Sequence, residues 1–567
     1  MAQQEIKKSN KLIYLIIGLA ALLRFWNFLT SDIYSDGTGY AFRALGWFDY
    51  LGGGLASPLN WFQKVPAWAH LSFTDSPPLN YFVQNIFFKV FGYSLFALRF
   101  PFILAGIGTV ILAYLILKEC NRKRAALWAA LLVAISAASI WNGLSAYLEG
   151  LEVFFITLVL YMLIRYIKKD SIKNLYFLAI SAGLAFLSKY TSIFVLMTVI
   201  TYILIWKREL FRKKELYKAI ILFFIILTPI IIYNIMVFYH RGHLDVALGA
   251  MIGMHSKDDT ANGAINYRFD ILASLNYFYN TVISINSLGL VVLGLVSVLS
   301  LIYKFIKKNS DKIEKIALLT FIFWFLSVIF SGSTTHRFPI IIPTIAVIIG
   351  LLIDNILIYF EKNKRLPIKI AIICLLAFVY SWELVYAFNS NIMPRPFGNQ
   401  YLHTDQPMQN FGWNQLDNYL RKNAIIDLPN NKNIENLSDV QYTSADINGR
   451  NVIIYDDTVN WYTYCWYIEP YIFYYRYPYF SLLSIIGDPS KKEVGDPFQQ
   501  LRQAGAKGFY FYIAEEGPGL TDAIKLQDRK ARNAILAFAS SLEKNGIKPV
   551  EIRNVNNDLA FKVYYFK

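Results

Sequence analysis

Eleven stretches of the chain are apolar over roughly the 20 residues that a helix needs to cross a bilayer, and short basic segments separate many of them. They lie near 12–30, 96–117, 126–144, 148–167, 174–188, 190–206, 219–239, 281–303, 316–332, 338–360 and 370–389. Beyond residue 390 the pattern changes. Apolar runs shorten to strand length, and Asp, Asn, Gly and Pro separate them. Residues 451–456 and 508–513 read as buried strands, and Arg529 to Lys544 has helical spacing that stops at Gly546. The pattern predicts a polytopic α-helical membrane domain of about 11 transmembrane helices over 1–389, followed by an α/β domain over 390–567.

Composition supports the membrane class. Of 567 residues, 56% are hydrophobic and 17% charged, and mean hydropathy is +0.38, which an ordinary soluble domain does not reach. The net charge of +16 does not point to nucleic acid, because the Lys and Arg residues gather in alternate short loops. These clusters are Lys7/Lys8/Lys11, Lys118/Arg122/Lys123/Arg124, Arg165/Lys168/Lys169/Lys173, Lys207 to Lys218, Lys304 to Lys315 and Lys362 to Lys369. By the positive-inside rule they place the N-terminus in the cytoplasm. An odd number of spans then makes 390–567 extracytoplasmic, at the plasma membrane. The first apolar run has no small-residue cleavage site behind it and reads as a retained anchor. Cys120, Cys374 and Cys465 are too few for a disulfide framework.

Two outer loops are long. The first, 31–95, holds the acidic stretch Ser31-Asp32-Ile33-Tyr34-Ser35-Asp36 and ends in Leu79 to Phe91, which mixes apolar and polar residues as an interfacial helix does. The second, 240–279, carries His240, His243 and Asp245. Charges at the same outer depth recur on other segments: Arg24, Arg99, Glu149 and Glu152 three residues apart on one helix face, Lys189 beside Tyr190, and Arg337. Charges at membrane depth are costly and normally face a partner or a polar cavity. A transporter or flippase would use Glu149, Glu152 and Lys189 as a pathway, but the internal symmetry expected of one is not visible in the sequence. All six histidines fall on the outer side. His240 and His243, with Asp245 or Asp75, could hold a divalent ion.

The order of motifs carries a resemblance. An apolar span, an acidic turn and Tyr40 are followed by Pro77-Pro78-Leu79, then Ala97-Leu98-Arg99-Phe100-Pro101, Gly183 to Thr191 around Lys189, and His336-Arg337-Phe338-Pro339. This order resembles the GT-C glycosyltransferases of the protein O-mannosyltransferase type (glycosyltransferase family 39) and the lipid A aminoarabinose transferases. The resemblance spans about 12–390. It implies a GT-C fold and inverting transfer of a monosaccharide from a polyprenyl-phosphate carrier to a protein, lipid or glycan acceptor on the outer face. It requires no cofactor. Asp36 matches the first acid of the family's Asp-Glu pair and would be the general base. Tyr40, Arg43, Asp75, Glu149, Lys189, Tyr190 and Arg337 would bind substrate, with Lys189, Arg337 and Arg43 on the leaving phosphate. Gly37 stands where the family has Glu, Gly39 where the aminoarabinose enzymes have a phosphate-binding Arg, and Asp75-Ser76 where a His, or an acid and Lys, precede the prolines. A non-catalytic, carrier-binding relative is the alternative within the same resemblance.

Overall fold

The computed structural model describes residues 2–26, 28–33, 36–46, 76–251, 254, 271–331, 335–392, 410–425, 442–459, 461–487, 496–515 and 529–567. The chain divides into two compact units. One comprises 1–28 with 47–407, the other 29–46 with 408–567. The acidic stretch of the first loop therefore packs with the C-terminal part of the chain.

In chain order the helices up to residue 392 are α1 (Ala2–Phe25), α2 (Asp36–Gly46), α3 (Leu79–Phe91), α4 (Leu95–Glu119), α5 (Lys123–Ile135), α6 (Ala137–Leu144) and α7 (Glu149–Lys169). They continue as α8 (Ile172–Ser188), α9 (Ile193–Trp206), α10 (Lys214–Arg241), α11 (Val246–Met251), α12 (Ile271–Ile285), α13 (Leu288–Ile306), α14 (Lys312–Ser331), α15 (Ile342–Lys362) and α16 (Leu366–Ala387). All except α2 belong to the first unit. Among the described residues, seven of these are long and apolar enough to cross a membrane: α4, α7, α10, α13, α14, α15 with its preceding 3₁₀ turn, and α16 with its following π turn. The helices α8, α9 with its leading turn, and α12 are apolar but shorter.

The expected spans at 174–188 and 190–206 are thus the shorter helices α8 and α9, and two further expected spans differ in form. The 126–144 segment is a pair of helices, α5 and α6, bent by 55° at Ser136. The 281–303 segment begins at Leu288, where Ser287 caps α13 by accepting the Leu290 N–H, and α12 precedes it as a separate helix.

Burial separates inner from outer helices. The best apolar window of the α15 span is 78% buried, whereas that of the α16 span is 17% buried. On α10, Ile221, Phe224, Ile225 and Ile235 are exposed, an apolar outer surface that fits hydrocarbon and not water. The inner contact of α15 with α5 depends on Gly350. A Cβ there would lie 2.6 Å from the Ala125 carbonyl oxygen, so the backbones touch. Gly350→Ala is expected to cost about 1–3 kcal/mol through overpacking, read as a lower melting temperature in detergent, whereas Gly18→Ala, with open space around it, is expected to be neutral.

The second unit is α/β. Its sheet has the order β2-β1-β3-β5-β4, with β1 (Asn451–Tyr455), β2 (Tyr479–Ser481), β3 (Gly508–Ala514), β4 (Val550–Arg553) and β5 (Leu559–Phe566). β1 runs parallel to β2 and β3, and β5 is antiparallel to β3 and β4. The helices used below are α17 (Trp413–Asn423), α18 (Trp461–Tyr467), α19 (Glu469–Phe473) and α20 (Arg529–Lys544). Alternate strand residues Val452, Ile454, Phe509 and Phe511 meet Ile535, Ala539 and Leu542 of α20 in one core, period two against period 3.6. Beyond the strand ends, the buried Asp456 carboxylate accepts from the Arg532 guanidinium (2.7 Å), the Thr458 N–H (2.8 Å) and the Ala514 N–H (3.1 Å). This buried charge pair is fully engaged on its acidic side, as buried ions must be.

Candidate active site

The first turn of α7 supplies two carboxylates, Glu149 and Glu152, both wholly buried. A helix N-terminus favours negative charge, which is why acids are tolerated there at membrane depth. The Glu149 Oε1 atom accepts from the Lys189 ammonium, and His336 Nε2 lies 3.6 Å from the same oxygen. Glu152 accepts from the Thr191 hydroxyl at 2.6 Å, and the charges of Lys189 and Arg337 both act on it. Lys189 is extended between α8 and the 3₁₀ turn Tyr190–Ser192, so neighbouring side chains diverge there. Asn80 of α3 fixes that break by donating to the Ser188 carbonyl at 2.7 Å. The His336 ring packs edge-on to Tyr147 at 5.9 Å. Among the described residues, Oε2 of each glutamate is buried without a hydrogen-bond partner, leaving acceptor capacity that a buried carboxylate normally uses.

Tyr190 turns the other way. Its hydroxyl donates to Asp245, which also accepts from Asn234 Nδ2 (2.8 Å) and the Leu248 N–H (2.9 Å). Asp245 thus caps α11, and its bonds are spent on the protein. Tyr190 and Asn234 also line an apolar groove of about 890 Å³ between α8, α9 and α10, with Leu178, Ala182, Phe223 and Leu227 among its other walls. Lys189 of the ion pair and Tyr190 of the groove wall are thus consecutive residues whose side chains diverge.

The structure assembles Glu149, Lys189 and Arg337 around one site in the first unit, and adds His336, Glu152 and Thr191. His336 was visible only as the neighbour of Arg337 in a motif, and no periodicity singles out Thr191. Asp36, Tyr40 and Arg43 lie on α2 in the second unit. Asp36 opens that helix and is half-buried, and Arg43 is 4% exposed. The charge of Arg43 acts on the Cys465 thiol, which burial pushes up. Nearby, burial raises Glu469 to about 7, against an ordinary carboxylate near 4. Asp75 lies outside the described residues, as does the side chain of His240. His243 Nδ1 is 2.7 Å from the Leu244 carbonyl oxygen. Among the described residues no group of three or more His, Cys, Asp or Glu side chains could hold a metal.

Two arginines read as outer-depth charges prove to be helix caps. Arg24, fully buried, donates to the Val133 and Ala134 carbonyls, each at 3.1 Å, and to the Ser139 hydroxyl at 3.0 Å. Arg99 donates through Nε to the Leu144 carbonyl at 2.9 Å and also to the Phe28 carbonyl. At the other end of α6 a carboxylate takes over. Glu383 on α16, fully buried, accepts the Ala137 N–H at 2.8 Å and the Ser287 N–H at 3.0 Å. The break at Ser136 thus has a cation at the C-terminus of α5 and an anion at the N-terminus of α6, the signs that the helix dipoles favour, and Arg99 places a second cation at the C-terminus of α6. Asn142 of α6 then donates to the Glu149 carbonyl at 3.2 Å, which links the broken span to the site.

With this geometry in place, comparison with known proteins gives the fold class: a polytopic membrane fold of the kind seen in the ArnT and oligosaccharyltransferase structures. The chain aligns with ArnT from Cupriavidus metallidurans bound to undecaprenyl phosphate over 98% of this chain and 97% of that one, with a TM-score of 0.52 and 12% identity. The apo oligosaccharyltransferase of Archaeoglobus fulgidus aligns over 89% of this chain and 69% of that one, with a TM-score of 0.51 and 13% identity. Within that class, residues 75–233 match the family of dolichyl-phosphate-mannose-protein mannosyltransferases. An uncharacterized protein of Aquifex aeolicus is 33% identical over 146 residues, 25% of this chain and 28% of its own length. The putative mannosyltransferase YkcB of Bacillus subtilis is 28% identical over 141 residues, 25% of this chain and 20% of its own length. The chain thus matches about a quarter of the length of these curated relatives.

Proposed function

We propose that this protein is an inverting membrane glycosyltransferase that moves a monosaccharide from a polyprenyl-phosphate carrier to an acceptor hydroxyl or phosphate. The observation that carries the reading is the adjacency at Lys189 and Tyr190. A carrier lipid has a phosphate head and a long apolar tail, and here a cation held by a buried carboxylate is followed in the chain by a residue that lines an apolar groove of about 890 Å³. The ArnT structure with bound undecaprenyl phosphate supports a carrier of that class.

In this reading the acceptor oxygen attacks the anomeric carbon as the bond from that carbon to the carrier phosphate breaks. Asp36 takes the acceptor proton. Lys189 and Arg337 balance the charge that develops on the departing phosphate. Glu149 holds Lys189 in the buried site, and His336 sits on the same carboxylate oxygen. Loop charges make the N-terminus cytoplasmic and the second unit extracytoplasmic, so transfer occurs on the outer face of the plasma membrane.

The test is transfer of labelled sugar by purified protein in bilayers, comparing polyprenyl-phosphate sugars with sugar nucleotides. Transfer is expected from the lipid donor alone. Ala179→Trp, which fills the groove, is expected to raise KM for a long-chain carrier roughly tenfold, a loss of about 1.4 kcal/mol, and to spare a short-chain analogue. Equal use of nucleotide sugars, or no effect of tail length, would remove the carrier from the scheme.

A further inference from the structure

The acidic stretch contains two carboxylates, and the structure gives them different work. Asp32 is 4% exposed and accepts the backbone N–H groups of Phe411 (2.6 Å), Asn414 (2.9 Å) and Trp413 (3.2 Å), with Asn410 Nδ2 at 3.3 Å. It therefore caps α17 from a distant part of the chain, where orphan N–H groups and the helix dipole favour an anion. Both of its oxygens are committed to these bonds.

The same contact pins the neighbouring backbone. Asn410 and Asn414 side chains donate to the Thr30 carbonyl at 2.6 and 3.2 Å, and Asn414 also donates to the Ser31 carbonyl at 3.1 Å. The Tyr467 hydroxyl joins both halves: it accepts the Ile33 N–H at 3.2 Å and donates to Asn414 Oδ1 at 2.8 Å. Its ring stacks on Trp413 at 5.4 Å. Further along, the Phe42 ring packs against Phe473 and Tyr474, and the Tyr474 hydroxyl donates to the Phe42 carbonyl at 2.8 Å. Asp36 opens α2 between these two anchor points, and every anchoring group belongs to the second unit.

We infer that Tyr467, with Asp32 and Asn414, is a positioning residue for the base: the C-terminal unit carries and aims Asp36. This rests on the reading of Asp36 as the general base. Holding a reacting group in register is worth orders of magnitude, because a misplacement of about 1 Å costs roughly 100-fold. The hydroxyl also satisfies the buried Ile33 N–H and Asn414 Oδ1, so its removal costs stability as well, and rates are compared per folded protein.

The test uses the full chain in bilayers and four proteins: wild type, Tyr467→Phe, Asp36→Asn and the double variant. Tyr467→Phe keeps the ring and is expected to lower kcat roughly 10- to 100-fold per folded protein, with donor KM unchanged. In the Asp36→Asn background the same change is expected to add nothing further, because both act on one proton transfer. A Tyr467→Phe protein with unchanged kcat, a rise in donor KM alone, or losses that multiply in the double variant would overturn the positioning role. Full transfer by Asp36→Asn would instead overturn the base on which the inference rests. Should Tyr467→Phe not fold, Asn414→Ala, which removes the bonds to Thr30, Ser31 and Tyr467, is read in the same cycle with the same criteria.

Discussion

Lys189→Met is expected to lower transfer from a polyprenyl-phosphate sugar by about 100- to 1,000-fold, the usual loss when a group stabilising developing negative charge is removed. The side chain is 17% exposed and its partner Glu149 is 1% exposed, so water screens the pair poorly. A neutral residue there removes charge where the departing phosphate needs it. The same change strands a buried carboxylate, whose removed partner costs about 3–5 kcal/mol in stability. The two effects separate in Lys189→Met/Glu149→Gln, which removes both charges. That double variant is expected to melt near wild type while remaining as inactive as the single one. Single-turnover transfer of label and thermal melting in detergent provide the two readouts. Lys189→Met retaining half the wild-type rate would dismiss the assigned role.

Arg24→Leu is expected to produce the largest loss of stability, without touching any group proposed to contact substrate. The guanidinium satisfies the Val133 and Ala134 carbonyls where α5 ends. Left unpaired in an apolar interior, each carbonyl costs about 1–3 kcal/mol, or about 2–6 kcal/mol together. Leucine also cannot fill the slot beside Gly106, where a Cβ would lie 2.9 Å from the Arg24 Nε. Lysine supplies a charge but not the forked set of donors, so Arg24→Lys is expected to recover only part of the loss. Melting in detergent checks the series. Because α6 leads through Asn142 to the Glu149 carbonyl, the residual activity of Arg24→Leu is expected to fall below its folded fraction. A wild-type melting temperature would show that the capping bonds contribute nothing net.

Much of the architecture was legible from residue type and spacing. Long apolar runs with basic ends can bury themselves only as helices in lipid, because backbone groups there must bond within the segment. Strand-length runs such as Val452–Ile454 and the 3.6-residue spacing of α20 declared the α/β unit equally well. The resemblance put forward Asp36, Tyr40, Arg43, Asp75, Glu149, Lys189, Tyr190 and Arg337 together; the structure brings Glu149, Lys189 and Arg337 to one place in the first unit and carries Asp36, Tyr40 and Arg43 on α2 of the second. What spacing could not supply was partnership. Asp32 and Asp36 are alike in sequence, yet one caps α17 and the other opens a helix. Arg24 and Arg99 read as charges near a site, and both cap helix ends. The division of the chain was equally hidden, since 29–46 packs with residues that follow some 360 positions later.

The break at Ser136 states the boundary most sharply. Val133-Ala134-Ile135-Ser136-Ala137 contains neither Pro nor Gly, and local propensity would continue the helix through it. A carboxylate from α16 and a guanidinium from α1 supply the terminal bonds that make two short helices cheaper than one. Sequence by itself determined the polytopic helical class and which residue types could do chemistry there, because hydrophobic burial depends on composition and period; of the eleven expected spans, seven are long and apolar enough among the described residues. Tertiary structure alone decided which charges cap, which pair and which remain for substrate, because a hydrogen bond depends on a partner that the local sequence does not contain.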